Sequence, residues 1–297
     1  MIKVFFFTSI LILTACSTST HDLRPLPVIQ YEDTMRQGIH SYQRDDYVGA
    51  ISSFKKALFL CQSIDDHRGI LFVKINLIKS AQAINELELA EKNLTSIKDI
   101  KQIDPNINSQ IILLQAQQFF LQKRYNKALK AIAPLISLLP EKANQYHTQQ
   151  INLLLTQTKF AVFSDLANTK DWFEKSKTVI SNNSIINNKQ RALFKRLSAH
   201  ITQKDKKYDL ALELMQQAIN SYKLKYNRRA IATCLEEKAA IYLAMKNITA
   251  AQKSLIRAKS IREWLQDTHK TQLLDEQLQL LGNEELKSPS ELISNTP

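Results

Sequence analysis

Glycine is nearly absent from this sequence, at four residues in 297. It supplies the positive-φ turns and close backbone approaches that phosphate loops, serine elbows and dinucleotide-binding sheets need, so those chemistries and glycine-rich β folds are excluded. Proline is scarce too, at seven, which leaves long stretches free of the residue that breaks helices. Cysteine numbers three, Cys16, Cys61 and Cys234, too few for a disulfide framework. The last two fall in distant helical segments and are expected to be buried free thiols. The six histidines, His21, His40, His67, His147, His200 and His269, include no pair at the H-x-x-x-H spacing of a zinc site. Adjacent carboxylates at Asp65-Asp66 and Glu236-Glu237 point about 100° apart on a helix and read as surface or turn residues. No catalytic residue, metal or cofactor is indicated, and the chain is expected not to be an enzyme.

Long apolar runs are missing except for one, Val4 to Ala15, preceded by Lys3. As a helix it would extend only about 18 Å against a hydrocarbon core of about 30 Å. A positive charge, a short apolar stretch and small residues at its end are the layout of a secretory signal. Its last four residues, Leu13-Thr14-Ala15-Cys16, resemble the lipobox of bacterial lipoproteins. The resemblance implies removal of residues 1–15, a diacylglyceryl thioether on Cys16 and an acylated new amine. Several acyl chains, each gaining about 0.8 kcal/mol per buried methylene, would hold permanently. Ser17 stands where an Asp commonly retains such proteins in the inner membrane, so sorting to the outer membrane, facing the periplasm, is expected. Residues 16–30 contain Ser17-Thr18-Ser19-Thr20, Pro25 and Pro27 and read as a polar tether reaching about 45 Å.

Leu, Ile, Ala, Lys and Gln fill the rest, a composition for an all-α chain. It repeats. Tyr47-x-x-Ala50-x-x-x-Phe54-x-x-Ala57 is followed by similar segments keyed on Ala90, Ala128, Ala211 and Ala251, and Gly38, Ile78, Ala116, Ala199 or Ala239 stands twelve residues before each key alanine. The pattern resembles the tetratricopeptide repeat, in which small residues let two antiparallel helices approach. The resemblance implies an α-α superhelix of about six hairpins over residues 31–282, since one amphipathic hairpin cannot bury its own apolar stripe. The key alanines are 40, 38, 83 and 40 residues apart, and the wide gap leaves room for a degenerate hairpin around Lys159 to Val179, with Trp172 in the aromatic place. Pro134 should kink the third unit's second helix. A capping helix over Thr268 to Leu281 should stop at Gly282, leaving 283–297 as a disordered tail. An irregular helical bundle is the alternative.

In the family the first helix of each unit lines a concave groove. Carried over, the resemblance places there Met35, Ile39, Tyr42 and Gln43, then Ile75, Lys79 and Gln82, then Leu113, Gln117 and Phe120, and later Arg196, His200, Gln203 and Lys204. About half of these are expected to pack against a neighbouring helix. The carboxylate clamp of chaperone-binding members is missing, because Met35 and Ile39 hold its first places. The net charge is +12, and between Thr169 and Arg229 fourteen Lys and Arg face five Asp and Glu. No nucleic-acid-binding motif accompanies that charge, so nucleic acid is not an expected partner. The expected function is a protein-binding scaffold or adaptor for an envelope assembly such as pilus or secretion assembly, outer-membrane insertion or cell-wall enzyme recruitment. The alternatives are a basic module for anionic lipid or cell-wall polymer, and an enzyme or small-molecule carrier in an irregular bundle.

Overall fold

The computed structural model describes residues 24–97, 104–164 and 168–286. The lipobox and Cys16 lie outside the described residues, as does most of the stretch read as a tail. The described residues form thirteen α-helices and no strand: α1 (Leu26–Gln43), α2 (Tyr47–Ser63), α3 (His67–Ala83), α4 (Leu87–Ile97), α5 (Pro105–Leu121), α6 (Tyr125–Ile136), α7 (Thr148–Ser164), α8 (Thr169–Asn182), α9 (Asn188–Lys204), α10 (Tyr208–Lys223), α11 (Arg228–Ala244), α12 (Ile248–Trp264) and α13 (Thr268–Leu286). Successive helices pair into six hairpins, each packed on the next, and α13 covers the last. None is long and apolar enough to cross a membrane.

Small residues make the hairpins possible. Gly38 of α1 is buried, and a Cβ there would lie 2.5 Å from Cε1 of Phe54, so the phenyl ring of α2 occupies the space a side chain would take. In later hairpins Ala199, Ala211, Ala239 and Ala251 share one fully buried core. Ile78, in the second hairpin's small-residue place, is also wholly buried.

With so little glycine, the turns use other residues. Asp45, Asp65, Asn85, Lys123, Lys206, Tyr226, Lys246 and Gln266 all have positive φ, between 50° and 64°. After each, the next N–H donates to a carbonyl five residues back, as Asp46 N does to Ser41 O at 3.0 Å and Asn247 N to Tyr242 O at 2.9 Å. These are Schellman closures. Asp46, Asp66, Asn227 and Asn247 then cap the following helix through their side chains.

The middle of the molecule is built differently. The wide gap between key alanines holds the hairpin α7–α8, with Trp172 half-buried against its core. At its crossing Thr158 Oγ1 lies 2.6 Å from Ser176 Oγ, and both residues are fully buried. Hydroxyls replace the alanines, so the alanine pattern skips this unit.

Three boundaries move. Helix α1 begins at Leu26, inside the stretch read as tether, because Pro25 fixes φ at −52° at the N-cap and Pro27 lies in the first turn, where its missing N–H costs nothing. Pro134 falls in the last turn of α6, and the outcome is an early end at Ile136. Gly282 does not stop α13, which continues to Leu286; a helical glycine costs only about 1 kcal/mol. Cys61 and Cys234 are buried free thiols, as expected.

Candidate functional site

Helices α1, α3, α5 and α9 carry the residues expected on the concave side. Some are structural. Ile75 is buried. Gln82, also buried, is a strut between helices, because its Nε2 donates to Leu114 O at 2.8 Å and to Gln118 Oε1 at 3.1 Å. These two leave the groove, since an amide whose donor is spent inside cannot greet a ligand.

At the N-terminal end Ile39 is 41% exposed and Met35 packs on the first core. Tyr42 meets Tyr47 edge-on, ring centroids 5.0 Å apart. Arg229, from α11, lies 4.7 Å above the Tyr47 ring and donates from Nη1 to Ala83 O at 3.0 Å. The same guanidinium pairs with Asp267, which also binds Arg262. The superhelix therefore curls until its sixth hairpin touches its first two.

Further along, Lys79 donates to Gln110 Oε1 at 3.3 Å, and burial pushes its pKa below the ordinary lysine value. It borders a recess of about 470 Å³ between α5, the end of α6 and α7. The recess combines the amides Asn106, Gln110, Gln149, Gln150 and Asn152 with the apolar Leu113, Leu138, Leu139 and Leu153. Amides can satisfy an extended backbone while leucines take an apolar side chain.

The third group converges on Lys159 of α7. Its ammonium donates to Gln117 Oε1 at 3.2 Å and sits 4.4 Å from the centroid of Phe120. Phe120 stacks on Phe160 at 4.8 Å and meets Phe163 edge-on at 5.8 Å. Phe163 in turn contacts the His200 ring at 4.6 Å. Across the groove Arg196 grips Glu237 of α11 with two bonds, Nε to Oε2 at 2.6 Å and Nη2 to Oε1. His200 Nε2 lies 3.1 Å from Glu237 Oε2, off the line of a hydrogen bond. Lys204 donates to Val162 O at 2.8 Å, and Gln203 lies beside it on α9, half-buried.

The electrostatics follow from this packing. Burial lowers the Lys159 pKa and Arg196 lowers it further, with Glu237 opposing, to about 7. Lys159 keeps part of its surface accessible, so it is desolvated without being sealed. Desolvation pushes Glu237 up, and the Arg196 charge, with the close approach of His200 and the two bonds from Arg196, more than offsets it and holds the carboxyl at about 2. Burial acts against the Arg196 cation while Glu237 raises its pKa, with a net increase.

No protein-family profile matches the chain, and no curated protein matches its sequence. Solved structures do match its shape. A Rap protein complexed with Competence and Sporulation Factor superposes with a TM-score of 0.56 at 12% identity, over 89% of this chain and 78% of that one. A signal transduction ATPase (STAND) protein with a tetratricopeptide repeat sensor from Pyrococcus horikoshii gives 0.51 at 15% identity, over 90% of this chain and 44% of that one. The fold is a tetratricopeptide-like α-solenoid.

In that solenoid, Gln117, Phe120, Arg196, His200 and Lys204 come together, while Met35, Ile39 and Tyr42 stand at the other end. Lys159, Phe160, Phe163 and Glu237 complete the cluster and were not singled out from the sequence. Their signal was there: Lys159 follows Thr158 as Gln117 follows Ala116, 42 residues earlier. Among the described residues no group of three or more His, Cys, Asp or Glu is placed to hold a metal.

Proposed function

We propose that this chain is an outer-membrane lipoprotein whose concave groove, facing the periplasm, captures an extended segment of a partner protein in an envelope assembly. The observation that carries the binding role is the recess beside Lys79, whose lining combines amides with leucines, a surface suited to an unfolded stretch of chain. Cys16 supplies the membrane address by its lipobox resemblance. A pilus or secretion apparatus, an outer-membrane insertion machine or a recruited cell-wall enzyme would each present such segments.

The basic region offers less to a polymer than its residue count suggests. Of its cations, Arg196 is bound to Glu237, Lys204 to a backbone carbonyl and Arg229 to Asp267, while Arg228 lies over the Trp264 ring. The groove is therefore the favoured binding surface.

Two experiments test the two halves of the proposal. Metabolic labelling with an acyl precursor should mark the wild type and not Cys16→Ala; equal labelling would remove the anchor. A photo-crosslinking residue at Leu153 or Gln117 should capture a specific partner in cells, and Lys79→Ala with Phe120→Ala should abolish capture without unfolding the protein. An unchanged crosslinking pattern would remove the groove.

A further inference from the structure

We propose that Lys159 and Arg196 form a carboxylate-binding subsite at the centre of the groove, with Phe120 and Phe163 as the wall for an adjoining apolar group. The inference rests on the groove being a binding surface and specifies what it recognises there.

The charges do not close on themselves. Lys159 has a single amide acceptor, Gln117 Oε1, and otherwise faces the rings of Phe120 and Phe160. Among the described residues the one carboxylate in the cluster, Glu237, is already taken by both Nε and Nη2 of Arg196 and approached by His200. Arg196 uses Nη1 in neither bond. With Lys159 protonated, the Lys159, Arg196 and Glu237 trio carries one surplus positive charge. Helix α5 contributes only Gln117 and the phenyl ring to this surface, so no second anion comes from that side. An ammonium stripped of water, with an amide and aromatic faces in place of an anion, is less stable than it would be beside one.

A carboxylate fits better than a neutral amide because it can take the remaining ammonium hydrogens and the free guanidinium edge together. The carboxylate could be a peptide C-terminus or an Asp or Glu side chain, and the chemistry at Lys159 is the same for both. Binding favours the protonated lysine, so linkage requires the carboxylate to raise the Lys159 pKa by the same factor by which the ammonium form binds tighter.

The test uses the mature full-length chain with 15N-labelled lysine, the Lys159 ammonium signal being assigned by its loss in Lys159→Met. Three probes are titrated: N-acetyl-phenylalanine, N-acetyl-aspartyl-phenylalanine amide and N-acetyl-phenylalanine amide. The first has a terminal carboxylate, the second a side-chain one, the third none. We expect at least one carboxylate probe to shift the Lys159 signal, raise its pKa by about one unit and lose at least tenfold in affinity in Lys159→Met. Lys159→Arg should retain most of the binding. Whichever carboxylate probe acts identifies the source. The subsite is overturned if neither acts, or if the amide probe acts equally. Crosslinking from Leu153 is independent of Lys159, so capture there with a silent lysine would leave the groove standing and the subsite refuted.

Discussion

The hairpins α9–α12 and the hairpin α7–α8 solve one packing problem in two ways. In the former, alanines at 199, 211, 239 and 251 let the helices approach inside an apolar core. In the latter, the buried crossing is a hydroxyl pair, Thr158 and Ser176, with Thr158 Oγ1 also 2.9 Å from Leu154 O and 3.2 Å from Trp172 O. Other polar struts surround it: Asn183 Nδ2 donates to Tyr146 O at 2.9 Å, and Gln190 Nε2 to Asn152 Oδ1 at 3.0 Å. Apolar contact is non-directional, whereas hydrogen bonds fix distance and angle. The irregularly spaced unit therefore gains from directional bonds a placement that its neighbours obtain from close packing, and that unit carries Lys159.

The largest effect should come where the alanine-built block holds the Arg196–Glu237 ion pair. Glu237→Ala leaves Arg196 buried without its carboxylate, and breaking such a pair from one side costs about 3–5 kcal/mol. The pH sign agrees. Glu237 holds its proton only below about 2 in the folded chain, against about 4.3 unfolded. Its contribution is present above pH 4.3 and is lost as pH falls toward 2. Thermal melts of wild type and Glu237→Ala should converge in that acid window; parallel melting curves would deny that the pair supports α9 against α11.

A smaller effect tests the hydroxyl crossing. Thr158→Ala should cost about 1–3 kcal/mol by leaving Ser176 without its partner in a buried site. Adding Ser176→Ala recreates the alanine crossing of the other hairpins and should recover most of that loss in chemical denaturation. A double variant weaker than either single one would mean that the two kinds of crossing are not interchangeable.

That crossing also explains what the sequence made legible. The alanine spacing located five hairpins and left a gap of the right length for the sixth, because helix approach depends on small residues and alanine is the commonest. It did not align the fourth unit, whose small residues are hydroxylic, and so Lys159 went unpaired with Gln117. Glu236 and Glu237 diverge as expected, one binding Arg262 and the other Arg196. Neither is the surface or turn residue expected: both lie within α11 with side chains only 18% and 14% exposed, drawn in by those arginines. Their adjacency gave no hint that the second would face the groove. The boundary misses have a local origin, since Pro25 and Gly282 are read as breakers although helix ends tolerate both. The contact of Arg229 with Ala83 spans 146 residues, and a nearest-neighbour reading of repeats contains no such term.

Lys159 separates the two regions in a pH experiment of intermediate size. The folded chain releases its proton near pH 7, whereas an unfolded lysine keeps it to about 10.4. The destabilisation is therefore full below pH 7, and stability from this group rises as pH increases from 7 toward 10. Lys159→Met should melt higher than wild type at pH 6, with the gap shrinking by pH 10. A gap independent of pH would show that the ammonium is not desolvated in the folded state.

The smallest effect belongs to the turns, which the two regions do not share equally: α10–α11 and α11–α12 close through positive-φ residues, while α8–α9 closes through Asn183 and Asn187. Tyr226 has φ of 50° and is 77% exposed, so its ring contributes little packing to set against a left-handed backbone. That conformation costs an L-residue about 1–2 kcal/mol, of which the greater chain entropy of an unfolded glycine takes back about 0.5–1. Tyr226→Gly should therefore stabilise the chain by about 0.5 kcal/mol, read as a small upward shift in denaturation midpoint. The same substitution at Ile185, in the α8–α9 connection, has no positive φ to relieve and should lower the midpoint. If both substitutions moved it the same way, left-handed strain would not distinguish the repeat turns from the central connection.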